Sequence, residues 1–139
     1  MNYMIDDILI NKIQTIKKCI KRINDEYDNN SENLNDLTKQ DAIILNIQRA
    51  CEASIDIAMH VVSEKEFGLP QNSRDAFEFL NKNNILDKIL TTKMKAMVGF
   101  RNIAIHDYQA LNIEILRNII EKHIKDFGDF IQMVEKTTC

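Results

Sequence analysis

The sequence predicts an all-α fold, an up-and-down four-helix bundle with an additional short helix. Three observations carry this expectation. Only 3 glycines and 1 proline punctuate the 139 residues, too few turn-makers for a many-stranded sheet built on hairpins. Apolar residues make up 45% and charged residues 28%, the balance of a chain that buries a core rather than staying disordered. Apolar positions also recur at steps of three and four, the period of a helix with one buried face. The length fits one domain over residues 1–139, since domains run to about 100–200 residues.

The first helix places Ile5, Ile8, Leu9, Ile13, Ile16, Ile20 and Ile23 on one stripe and stops in Asp28 to Asn33, whose side chains compete for backbone hydrogen bonds. Thr38 and Asp41 have the capping-box spacing and open a second helix. That helix carries Ile44, Ile47, Cys51, Ser54, Ala58, Val61 and Val62 inward and halts at Gly68-Leu69-Pro70. Ser73 can cap a short third helix with Ala76, Phe77 and Leu80 on its apolar edge, broken by the polar run Asn81 to Asn84. Ile85, Leu86, Ile89, Leu90, Met94, Met97 and Val98 mark a fourth helix, expected to fray near Ile105 to Tyr108. Ile113, Leu116, Ile120, Ile124, Phe127, Phe130, Ile131 and Val134 make one long closing helix. Several of the helical stripes are wide enough to suggest a second buried face against another copy of the chain, a homodimer.

Charge and cysteine usage narrow the function. With 21 acidic and 18 basic residues the net charge is −3, so no global positive field holds a polyanion and any nucleic-acid contact must be local. Cys19, Cys51 and Cys139 are odd in number and far apart, without the paired spacing of a zinc or redox site. The beginning of the chain lacks the basic and apolar regions of a signal peptide, and no stretch approaches the ~18 apolar residues of a membrane span. A cytoplasmic protein with no membrane partner is the expectation.

Dinucleotide, P-loop, zincin, nucleophile-elbow and EF-hand motifs are all absent. Of the three histidines, His60 stands four residues before Glu64, a spacing that suits a metal pair but reads first as a helix-surface contact. His123, among Glu121, Lys122 and Lys125, reads as solvated surface. No metal or cofactor is expected.

His106 keeps different company. Arg101-Asn102-Ile103-Ala104-Ile105-His106-Asp107-Tyr108 brings a fixed cation, an imidazole and a phenol together within eight residues. Guanidinium groups bind phosphate oxygens through paired, charge-assisted hydrogen bonds. Imidazoles exchange protons near neutrality, as phosphodiester cleavage requires. A phenol can orient a phosphate or stack on a base. At ~100° per residue Arg101 and Tyr108 share a helix face, whereas His106 lies about 140° from Arg101. Either the helix breaks near His106 or a symmetry mate completes the site. On spacing alone a second reading stays open, in which Arg101 and Asp107 pair on the surface and His106 caps a helix end favoured by the dipole.

The run RNIAIHDY resembles the R-x4-H-x-Y signature of HepT-like toxins, HEPN-superfamily helical domains paired with minimal nucleotidyltransferases. ACEASIDIAMHVV (Ala50 to Val62), GLPQNSRDAFEFL (Gly68 to Leu80) and KMKAMVGF before the motif are similar to the family's corresponding segments in order and spacing. The resemblance implies the toxin of a type VII-like toxin–antitoxin system, a metal-independent endoribonuclease working as a homodimer with its motif in a cleft between protomers. It implies Arg101 and His106 as catalytic, with Asn102 and Asp56 matching polar and acidic positions that could orient them. It implies Tyr108 as the acceptor of AMP from a partner nucleotidyltransferase antitoxin, which silences the toxin. This chain carries no nucleotide-binding turn with paired aspartates, so that transferase is a separate chain.

Lys93 and Lys95, just before the motif, are candidate RNA contacts. Lys12, Lys17, Lys18, Lys21 and Arg22 bias the first helix toward basic character, which reads first as a solvated face and second as a groove wall. The competing functional class is a non-catalytic HEPN-type module that binds a nucleotide or partner without cutting RNA.

Overall fold

A computed structural model describes residues 6–138, with the side chain of Thr138 not included; Ile5 and Cys139 lie outside the described residues. The described chain is helical: α1 (Asp7–Tyr27), α2 (Leu37–Glu64), α3 (Ser73–Lys82), α4 (Lys88–His106), α5 (Ile113–Asn118) and α6 (Ile124–Thr138). Short 3-10 turns at Ser31–Asn35 and Tyr108–Ala110 serve as connectors, and a π-turn over Ile119–His123 joins α5 to α6.

Polar caps fix where the helices begin. Asp6 accepts from the amides of Ile8 and Leu9, Asp36 from Lys39, Asn72 from Asp75, and Asp87 from Leu90. Each satisfies an orphan donor of a first helical turn. The expected caps Thr38 and Ser73 are thus displaced by Asp36 and Asn72. Both observed caps have the extended backbone a cap requires, while Thr38 and Ser73 are already helical. That shift leaves Asp41 and the Ser73 hydroxyl available elsewhere.

α1 and α2 run antiparallel, as contacts of Asp6 with His60 and of Lys12 with Asp56 require. The end of α4 meets the start of α2, and Lys93 near the start of α4 faces Asp126 of α6. An up-and-down bundle of α1, α2, α4 and the α5–α6 rod follows, with α3 lying across α2 and α4. Phe77 of α3 packs edge-to-face on Phe130 of α6, with ring centroids 5.6 Å apart, a favoured aromatic geometry. Ile16, Ile23, Ile43, Ile47, Leu80, Met94 and Phe127 are fully buried in the same core. Cys19 and Cys51 are free thiols in this core, and burial pushes both above the ordinary thiol range.

The closing helix departs from expectation. Its apolar stripe is as long as predicted but is interrupted by the π-turn at Ile119–His123. Such a turn inserts an extra residue into the helical repeat. It lets both Ile119 and Ile120 stay buried and rotates Asp126 fully into the core. There Asp126 Oδ2 lies 3.0 Å from His123 Nδ1, and Lys93 Nζ lies 3.8 Å from Oδ1, which has no hydrogen-bond partner. His123 is therefore a half-buried companion of a buried carboxylate rather than a solvated residue.

No helix among the described residues is long and apolar enough to cross a membrane.

Candidate active site

α4 stays helical through His106 and stops at Asp107, whose amide donates to Ile103 O at 2.8 Å. The expected break near Ile105 to Tyr108 thus falls one residue after His106. Its position decides the geometry of the motif. Arg101 is half-buried on the regular part of α4, where its Nε donates to Asn102 Oδ1 at 3.0 Å and its Nη2 to Ser73 Oγ at 3.3 Å. The guanidinium is held from two sides, by its own helix and by the start of α3. Its recorded hydrogen bonds include none to Asp107, so the surface-pair reading of the motif has no support.

His106 ends α4 and is exposed. Five residues of helix separate it from Arg101 by about 7.5 Å along the axis and about 140° around it. Because the helix is unbroken over this span, one chain does not turn both side chains onto a common point.

Tyr108 opens the 3-10 turn and is 42% exposed. Its hydroxyl donates to Asp41 Oδ1 in the first turns of α2. Desolvation first, then the hydrogen bond and charge of Asp41, push the phenol up to about 12. Asp41 was expected to serve in a helix cap; instead it holds the motif tyrosine.

The other predicted site residues divide. Asn102 is in contact with Arg101, as expected. Asp56 is not: it faces α1 and forms an ion pair with Lys12 at 3.0 Å. The helical wheel of α2 turns it away from α4. Lys93 faces the buried Asp126, and Lys95 pairs with Glu78 of α3. On α1, Lys12, Lys21 and Arg22 each have a carboxylate partner. The basic run reads as a salt-bridged helix face.

Arg74 escaped the sequence reading. Its guanidinium lies over Gly99 so closely that a Cβ there would come within 3.1 Å of its Nη2, and no carboxylate partner is recorded for it among the described residues. It adjoins Ser73, which touches Arg101. Two arginines thus converge where α3 begins against α4. The only prior signal was the glycine two residues before Arg101, which reads equally well as a helix irregularity. Near the end of α4, Ile103 and Ile105 are 39% and 43% exposed, apolar side chains on nearly opposite sides of the helix.

Comparison with known proteins places this arrangement among relatives. A family model described as ribonuclease HepT-like matches residues 13–134. The mRNA nuclease HepT of Shewanella oneidensis is 49% identical over 130 residues, covering 94% of this chain and 98% of the relative. A solved structure of the tri-AMPylated Shewanella oneidensis HEPN toxin in complex with its MNT antitoxin superposes with a TM-score of 0.90 at 48% identity, covering 95% of this chain and 99% of that one. A crystal structure of a toxin–antitoxin with AMP-PNP gives the same TM-score, 0.90, at 48% identity, over 94% and 99% of the two chains.

Proposed function

This chain belongs to the ribonuclease HepT-like family, and from that membership we propose that it is the toxin of a type VII-like toxin–antitoxin pair, an endoribonuclease whose working site forms between two copies. The observation that carries this reading is the unbroken helix from Arg101 to His106. It fixes a guanidinium and leaves an imidazole at the helix end, facing a direction its own chain does not close. A two-fold mate packed at this end of α4 would bring the missing half of each pair, since a two-fold interface sets the same surface of both copies against itself.

In that cleft the RNA 2′-hydroxyl attacks the adjacent phosphorus. The 2′-O–P bond forms, the bond to the leaving 5′ oxygen breaks, and a cyclic phosphate end remains. His106 exchanges the proton, taking it from the attacking hydroxyl or giving one to the leaving oxygen. Arg101, steadied by Ser73 and Asn102, stabilises charge on the phosphorane oxygens. Arg74 supplies a second cation for a flanking phosphate. No step needs a metal.

Tyr108 is the regulatory residue in this reading. Its hydroxyl oxygen attacks the α-phosphorus of ATP held by a partner nucleotidyltransferase, and pyrophosphate leaves. Asp41 is the carboxylate already accepting the phenolic proton. Each added AMP puts a phosphodiester charge and a nucleoside beside His106, occupying the anion site that RNA needs. The tri-AMPylated state of the Shewanella oneidensis toxin supports AMP transfer as the kind of modification.

The test compares wild type with His106→Ala on RNA in the presence of a chelator. Wild type is expected to cut, and the variant to be slower by about 100- to 10,000-fold, the range for losing a general acid–base. Equal cleavage by the two, or none by wild type, would reject the catalytic assignment and leave a binding module.

A further inference from the structure

At the end of the α1–α2 pair remote from the motif, three side chains that could hold a metal converge from two places in the sequence. Asp6 precedes α1, and His60 and Glu64 sit one turn apart near the end of α2. One ligand atom from each lies within 4.8 Å of the others. The i,i+4 spacing of His60 and Glu64 was visible in the sequence, but a histidine and a glutamate alone make only two ligands. Folding supplies the third by running α1 antiparallel to α2.

We propose that Asp6, His60 and Glu64 bind one divalent transition-metal ion, such as Zn²⁺, Mn²⁺ or Fe²⁺, which staples the start of α1 to the end of α2. Asp6 is pre-oriented for this. Its Oδ1 accepts from the amides of Ile8 and Leu9 and thus fixes the carboxylate, while Oδ2 turns to His60 Nε2. The hydrogen bonds on Oδ1 play the part that outer-shell partners play in metal sites, holding a ligand in one orientation. His60 is half-buried, which limits how far its ring can wander. Glu64 is exposed, and its carboxylate makes no ion pair or hydrogen bond among the described residues. It can swing the short distance that closing three ligands on one ion requires, and its open side leaves room for water to complete the coordination.

Charge and donor type agree with the assignment. Two carboxylates with a neutral imidazole present two negative charges, and no lysine or arginine is paired with any of the three among the described residues. One nitrogen and two carboxylate oxygens are donors shared by zinc, manganese and ferrous iron, and less suited to soft copper(I), which prefers sulfur. The ion competes with a proton for the imidazole nitrogen, so binding strengthens as pH rises. His60 stands 19 residues beyond Asp41 on one helix, about 28 Å along its axis. The ion is therefore structural with respect to RNA cleavage, and a nuclease that works in a chelator can still carry it.

The experiment uses the full-length, untagged, metal-stripped protein in a Cys139→Ser background, so that the terminal thiol does not compete. Co²⁺ is titrated in and followed by its d–d absorption, and Zn²⁺ by calorimetry. One equivalent per chain is expected, with a thermal midpoint a few degrees higher at saturation, as binding to the native state alone requires. His60→Ala and Glu64→Gln should each weaken binding by about tenfold or more. Asp6→Asn should do the same while retaining a good helix cap, so it serves if His60→Ala fails to fold. RNA cleavage by the stripped protein should equal that of the loaded one, which separates this proposal from the catalytic reading. Absence of binding, or binding that all three substitutions leave unchanged, would overturn it.

Discussion

Asp41 governs the state of the Tyr108 phenol. The carboxylate accepts the phenolic hydrogen, and partial burial together with that bond and charge holds the proton on to about pH 12. A spectrophotometric titration of Asp41→Asn should therefore find the Tyr108 transition shifted down toward the ordinary value of 10. An unchanged transition near 12 would show that burial alone sets it. At this scale the sequence was partly legible. Arg101, His106 and Tyr108 stand together in the chain, so their combination could be read directly. Asp41, Ser73 and Arg74 could not be joined to them, because each comes from another helix and depends on which way that helix faces. The same blindness to helix rotation explains why the contacts of Asp56 with Lys12, Lys93 with Asp126 and Lys95 with Glu78 were not foreseen.

Among the elements, the α5–α6 rod and α3 determine how firmly α4 is held. Phe130 of α6 is fully buried and meets Phe77 of α3 edge-to-face. Phe130→Ala should lower unfolding free energy by about 3–5 kcal/mol, the range for truncating a buried phenylalanine, measured by denaturant titration. A loss below 1 kcal/mol would mean that the core closes around the gap. Helix identity and order were legible because apolar periodicity survives in a single sequence. The π-turn at Ile119–His123 was not, since Leu116, Ile120 and Ile124 keep four-residue steps through it and leave no gap in the apolar pattern. Cap positions moved by one or two residues for a related reason. Asp36 and Thr38, like Asn72 and Ser73, are chemically competent neighbours, and only backbone geometry chooses between them.

Across the whole molecule, acid should loosen the bundle at its inter-helix ties. Hydrogen bonding to His60 holds Asp6 below its ordinary value of 3.8, and hydrogen bonding to Lys95 and to Tyr27 holds Glu78 and Glu121 below 4.5. A carboxylate whose folded value is depressed contributes stability above its unfolded value and loses it as pH falls through the folded one. The thermal midpoint is thus expected to be level above about pH 5 and to fall as pH drops through 4.5 and below. Glu78→Gln should flatten part of that fall; an identical profile in the variant would remove this ion pair from the account.

Net charge at this scale says little about RNA, because the cations that matter are local. Arg101 and Arg74 converge at one junction, and the proposed two-fold mate would double them. The sharing of the site between copies is tested most directly by mixing two inactive variants, Arg101→Ala and His106→Ala, after unfolding and refolding them together. In a mixed dimer one composite site receives Arg101 from one protomer and His106 from the other, both intact. Mixed dimers are half of the population and carry one working site of two, so roughly a quarter of wild-type cleavage should return. A mixture as inactive as either variant alone, with wild type active in the same assay, would contradict a site shared across the two-fold axis.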